Sequence, residues 1–193
     1  MDISALSYDK WLHFVFDHPV EIEAWHFSNQ WDYDIEDPQL VLEYLTRLFE
    51  HPEIVKGQFS PEQLDQGFWF IPGPNGFLWL VCSPSIPWVN RRKCIQAIYP
   101  LFDRLLGSLD CGASRYMWWD SVFTYCASSN NDIISDKQVL EVVVDVLAKL
   151  AKHPSVDVQA SARHGIEHLA AIAKAPGNLD IERVLMDCGI VIS

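Results

Sequence analysis

The sequence predicts an all-α protein, a single domain of about nine antiparallel helices. Three observations predict it. Apolar side chains recur at three- and four-residue steps through most of the chain, the spacing of one helix face. These stretches open on helix start signals, a short oxygen side chain followed by Pro or by a capping Gln. The joints between them are short, many fall at Pro, and none has the composition of a linker.

Ser7 begins the first helix, with Trp11, Phe14, Val15 and His18 on one stripe and Pro19 beyond its end. Residues 19–37, PVEIEAWHFSNQWDYDIED, carry no helical period. Connections of this length are commonly functional or pinned by their own side chains, and this one is acidic and rich in Trp. Asp37-Pro38 marks the second helix, Asp as cap and Pro at the first helical position. Leu40, Val41, Tyr44, Leu45, Leu48 and Phe49 form its apolar face, and Pro52 stops it. Ser60-Pro61-Glu62-Gln63 starts a third, with Gln63 placed for a capping box.

Residues 68–89 read two ways. FWFI, PGPNG and FLWLV fit a β-hairpin with Asn-Gly at its turn. The start signal at Ser60 and the helical neighbours favour a helix ending near Ile71 and a short helix from Asn75 to Cys82. Pro87 opens a long helix with Trp88, Cys94, Ile95, Ile98, Leu101, Phe102 and Leu105 on its core face. Pro100 removes one internal hydrogen bond and should kink it, and Gly107 suits its end. Residues 114–128, SRYMWWDSVFTYCAS, form an aromatic helix.

The clearest stretch is a helical hairpin over residues 136–174. Ser135 or Asp136 caps its first helix, whose face is Val139, Leu140, Val143, Val144, Leu147, Leu150 and Ala151. Pro154 ends it, because Pro disfavours helical geometry in the residue before it. Ser155 caps the second helix, and Asp157 complements the dipole of its first turn. Its stripe is Val158, Ala162, Ile166, Leu169 and Ala173, and small residues including Gly165 let another helix approach closely. The segment PSVDVQASARHGIEHL, with Pro154, Val156, Asp157, Ala162, Arg163, Ile166 and Leu169, resembles the turn and second helix of a HEAT-type repeat. That resemblance implies helix pairs stacked into a curved array, whose usual role is to bind proteins. A last short helix from Asn178 or Asp180, with Ile181, Val184, Leu185 and Cys188 on its face, would cap the array.

Composition sets bounds on function. Hydrophobic residues are 49% and charged residues 21% of the 193, so the chain is globular and long enough for a real core. The formal net charge is −12, and its distribution is uneven. Residues 1–66 hold 14 acidic side chains against Lys10, Arg47 and Lys56, a net of −11. An acidic face repels phosphate backbones, which argues against nucleic acid as partner. It draws in a basic protein surface and speeds that encounter. The five cysteines are scattered without a C-x-x-C pair, as expected of reduced thiols in a cytoplasmic protein. The N-terminus lacks a basic region followed by a long apolar core, so no leader is expected. The longest apolar run, Phe77 to Cys82, is too short to span a bilayer, so no membrane partner is expected either.

Two constellations carry possible chemistry. His164-Gly165-Ile166-Glu167-His168 matches H-x-x-E-H, the inverzincin zinc-protease signature. His164 and His168 share a helix face and are the candidate metal ligands. Rotation at 100° per residue puts both opposite the stripe through Ile166, facing solvent. A catalytic zinc needs a third protein ligand, and downstream only Glu182 has a possible reach. No catalytic residue and no cofactor are therefore assigned.

The second constellation is the partner-binding set Trp25, Trp31, Asp32, Tyr33, Asp34 and Glu36. Its carboxylates and aromatic rings suit the grip of Arg and Lys side chains. A calcium loop is not completed, because position 37 is Asp37 where an EF-hand needs Gly. The remaining aromatics read as core, with one of Trp118 and Trp119 free to line a groove, since neighbours on a helix point about 100° apart. Arg91-Arg92-Lys93 reads as a solvated face or, alternatively, as a partner for the acidic N-terminal third, and Cys94 and Cys126 as buried, inert thiols. The chain has no G-x-S-x-G, P-loop or G-x-G-x-x-G. The expected function is a non-enzymatic protein-binding module, of immunity or inhibitor type, for a basic partner. The alternatives are a metal-dependent hydrolase centred on residues 164–168 and a structural subunit of an oligomer.

Overall fold

In the computed structural model, which describes residues 1–20, 25, 32–109, 114–120, 137–173, 183, 185 and 186, helices begin where short polar side chains supply caps. Ser7 accepts from the Lys10 amide and opens α1 (Tyr8–Phe16). Asp37 accepts from the Leu40 amide at 3.0 Å and Pro38 follows it, opening α2 (Pro38–Glu50). Ser60 and Gln63 make both bonds of a capping box and open α3 (Pro61–Phe70). Each such cap satisfies an amide that has no partner inside the helix, worth about 1 kcal/mol.

The order continues through α4 (Trp88–Leu101), α5 (114–120), α6 (Lys137–Leu150) and α7 (Val156–Ala173). Short 3-10 segments lie at Pro52–Val55 and Leu78–Cys82. No strand occurs among the described residues, only isolated bridges at Asp2–Asp34 and Lys56–Phe59. The all-α class is therefore as expected. Residues 68–82 take the helical alternative, not the hairpin: α3 runs to Phe70, and the piece after the PGPNG loop is a 3-10 turn. That loop folds so tightly that a Cβ on Gly76 would stand 2.0 Å from the Phe70 carbonyl oxygen. The expected final helix lies outside the described residues except for 183, 185 and 186, as do the cap at Ser135 or Asp136 and the second half of the 114–128 helix.

Pro100 shifts the hydrogen-bond register one turn later. The chain leaves α4 through a π turn, Phe102–Leu106, closed by the Gly107 amide donating to the Phe102 carbonyl at 2.8 Å. Proline has no amide to donate and its ring crowds the carbonyl four residues back, so the ladder slips. Gly107 is needed here for space, not for a left-handed conformation: a Cβ would stand 2.9 Å from Val158 Cγ2.

The helices pack in a row. α2 lies on α4, α4 on α6 and α6 on α7, while α1 pairs with α3. Val41, Leu42, Leu45, Leu48 and Phe49 of α2 are fully buried in that row. Each such side chain contributes about 1.5–3 kcal/mol of burial. α1 meets α3 at Gly67, where a Cβ would stand 2.2 Å from Phe16 Cδ1. Trp11 and Phe14 of α1, Phe70 at the end of α3 and Phe77 beyond the loop pack their rings together. No helix among the described residues is long and apolar enough to cross a membrane.

Arg91 departs from the solvated face expected of it. Its side chain is 8% exposed and donates to the Ile86 and Val81 carbonyls at 3.1 and 3.2 Å. It satisfies the Val81 carbonyl near the end of the 3-10 segment and the Ile86 carbonyl in the connection just ahead of α4. Arg92 stays exposed, and Lys93 pairs with Glu50 of α2 at 3.1 Å.

Candidate functional site

The first constellation is built on an extended stretch clamped by the N-terminus. The Asp34 amide donates to the Met1 carbonyl at 2.9 Å, and the Ile3 amide donates to the Asp34 carbonyl at 3.1 Å. The Ser4 hydroxyl accepts from the Asp37 amide, and the Asp2 carboxylate accepts from the Ser4 amide and hydroxyl and from the Glu36 amide. These bonds hold the Asp2 carboxyl below its usual range, led by the Ser4 hydroxyl.

An extended chain alternates its side chains between two faces. Tyr33 and Ile35 therefore turn inward. Tyr33 packs on Phe14 and Phe77 and donates its hydroxyl to the Asn75 carbonyl. Asp32, Asp34 and Glu36 turn outward and are exposed, with no side-chain partner among the described residues. The result is a row of three carboxylates on a hydrogen-bonded backbone, spaced by about 6.6 Å along the chain.

Trp25 corrects the expectation of an aromatic grip. It is 8% exposed, stacked on the His18 ring at 3.7 Å and tilted against Phe70 at 4.7 Å. An indole buries a large area and is drawn to the core, so its face is not available to a partner. Trp31 lies outside the described residues. The expected set thus divides: Asp32, Asp34 and Glu36 form the surface, while Trp25 and Tyr33 anchor it from beneath.

The second constellation forms where α5 runs beside α7. Arg115 pairs with Asp157 at 3.3 Å, Ser161 donates to the Arg115 carbonyl, and Trp119 donates to Ser161 at 3.1 Å. Gly165 leaves the space for this approach, because a Cβ there would stand 2.7 Å from Trp119 Cγ. Both Trp118 and Trp119 are fully buried, where one was expected to line a groove. α5 is wedged between two partners: Trp118 faces Phe49, Phe68 and Phe102, and Trp119 faces Phe102 and α7.

The face expected to be open to solvent is partly covered: His164 is largely buried, while His168 stays open on one side. Tyr116 and Asp120 sit one turn apart on α5, over His164 and His168 one turn apart on α7. The Tyr116 ring stacks on His164 at 4.2 Å. The two imidazole Nε2 atoms meet a single carboxylate oxygen, Asp120 Oδ1, at 2.8 and 3.0 Å. The side chain of His164 is 15% exposed and that of His168 43%. The opposite side of α7 is covered by a helix that lies 44 residues earlier in the sequence. Asp120 was missed because nothing local ties it to the motif; Glu182, the expected third acid, lies outside the described residues.

Of the cysteines, Cys94 is fully buried, and burial pushes its thiol up to about 12. A thiol so raised carries almost no thiolate at neutral pH and is inert, as its apolar stripe predicts. Cys126 lies outside the described residues. The chain matches no family model, no curated protein and no solved structure.

Proposed function

We propose that this protein is a non-enzymatic protein-binding module, a HEAT-like helical stack that holds a basic partner. The observation that carries the reading is the pinned register of residues 32–36, which presents Asp32, Asp34 and Glu36 outward while Tyr33 and Ile35 are packed inward. Because the backbone is already held by bonds to Met1, Ile3 and Ser4, these carboxylates meet a partner without a large ordering cost. Their charge is reinforced by the net −11 of residues 1–66. The row of α2, α4, α6 and α7 supports the stacked-array reading, since repeat arrays bury each helix pair against its neighbour. An inhibitor or immunity role, in which the acidic surface neutralises a basic enzyme, is the form of binding this surface suits.

The experiment is capture from the source cell extract at low and moderate salt, by the wild-type protein and by the Asp32→Asn, Asp34→Asn, Glu36→Gln variant. The reading expects a basic partner that the triple variant loses and that salt weakens. Capture of the same partner by the variant, or at undiminished strength in high salt, overturns it. Light scattering on the purified protein separates a structural oligomer from a partner-seeking monomer.

A further inference from the structure

We propose that Asp120, His164 and His168 form a binding site for one divalent ion of the zinc, cobalt or nickel class, held between α5 and α7. The ligating atoms of the three residues all lie within 4.8 Å of one another. Both Nε2 atoms already point at one oxygen, at 2.8 and 3.0 Å. Ligands bonded at about 2.0–2.2 Å around a tetrahedral ion stand about 3.3–3.5 Å apart, so the triad need open by only about half an ångström to admit one.

The donor set selects the class of ion. Two imidazole nitrogens with one carboxylate suit zinc and its late first-row neighbours. Calcium and magnesium prefer all-oxygen shells, which this triad lacks. Without an ion, each imidazole donates its Nε2–H to Asp120. On binding, that proton leaves to solvent or the imidazole takes its Nδ1–H tautomer, and Nε2 becomes a ligand.

The site is built, not incidental to two flexible side chains. Tyr116 holds the plane of the His164 ring by stacking. Trp119, seated on Gly165 and bonded to Ser161, sets the height of α5 above α7. Asp120 therefore arrives over the histidines through buried packing on its own helix. His168 is open enough to give an ion entry from solvent and room for water in a fourth position.

The test titrates the full chain, stripped with chelator and dialysed, with zinc chloride and cobalt chloride by calorimetry and by visible absorption of cobalt. One ion per chain is expected. The exposed-side variant His168→Gln and the variant Asp120→Asn should each weaken binding by more than about tenfold, since loss of an outer-shell partner alone costs 10–100-fold. His13→Gln, which alters an exposed histidine on α1, should leave it unchanged. In the wild-type protein, cobalt should broaden the imidazole proton resonances of His164 and His168 before those of His13. That readout holds even where a variant fails to fold. Absence of stoichiometric binding, unchanged affinity in both ligand variants, or broadening centred on other histidines would each overturn the proposal.

Discussion

Trp119 rests on Gly165, its Cγ 2.7 Å from where a Cβ would stand, with Leu147 Cδ2 3.0 Å from the same point on another side. Both neighbours are held by packing, so neither gives way cheaply. Gly165→Ala gains about 1 kcal/mol of helix propensity and loses roughly 1–3 kcal/mol to overpacking. The expected result is a net loss of stability in urea denaturation. A stabilised variant would show that the two helices are not in close contact there.

Arg91 is buried and bonds two carbonyls that its short neighbourhood leaves unpaired. Lysine keeps the charge but cannot reach both acceptors with one planar fork. Arg91→Lys should cost about 1.5–3 kcal/mol, the range for hydrogen bonds to charged groups. Arg92→Lys, exposed one residue on, should change stability by less than about 0.5 kcal/mol. Equal effects at the two positions would refute the buried role of Arg91.

His18 is packed on Trp25, and burial lowers its pKa below the usual 6.5, against a weaker upward pull from its bond to the Phe14 carbonyl. The folded state therefore favours the neutral ring. Below pH 6.5 the unfolded chain takes up the proton first, so this contribution is present above 6.5 and is lost as pH falls through the lowered value. The melting temperature of the wild-type protein should drop more steeply between pH 6.5 and 5 than that of His18→Gln. Parallel curves would mean that His18 titrates as an exposed residue does.

Cys94 and Cys82 should separate under a thiol reagent. Cys94 is wholly buried with its thiol raised to about 12, whereas Cys82 is half-buried. Peptide mapping after timed labelling of the native protein should find Cys82 modified before Cys94. Cys94 should react only at the rate of unfolding. Early modification of Cys94 would contradict its place against α2.

The helix starts were legible because their physics is local. Ser7, Asp37 and Ser60 each accept from an amide three residues on, so a window of four residues contains the whole interaction. The alternation Asp32-Tyr33-Asp34-Ile35-Glu36 was likewise visible in the chain. What it meant was not, since the clamp that makes it extended comes from Met1, Ile3 and Ser4, about 30 residues away.

The rotation of α7 correctly placed His164 and His168 together, on the side away from Val158, Ala162 and Leu169. It could not say that α5 covers that side. A helical wheel reports which residues share a face; it carries no information on what else packs there. The same limit applies to Trp118 and Trp119, which point in different directions and are both buried because α5 has partners on two sides.

By itself, then, the sequence determined the helical class, the caps, the apolar stripes and the concentration of acid in the first 66 residues. These follow from side-chain chemistry and from spacing along the chain. The tertiary structure decided which polar groups meet. It withdrew Trp25 and Arg91 from the surface, left Asp32, Asp34 and Glu36 on it, and brought Asp120 to His164 and His168. Those pairings depend on packing between segments far apart in sequence, where Gly165 and the buried tryptophans set the distance between helices.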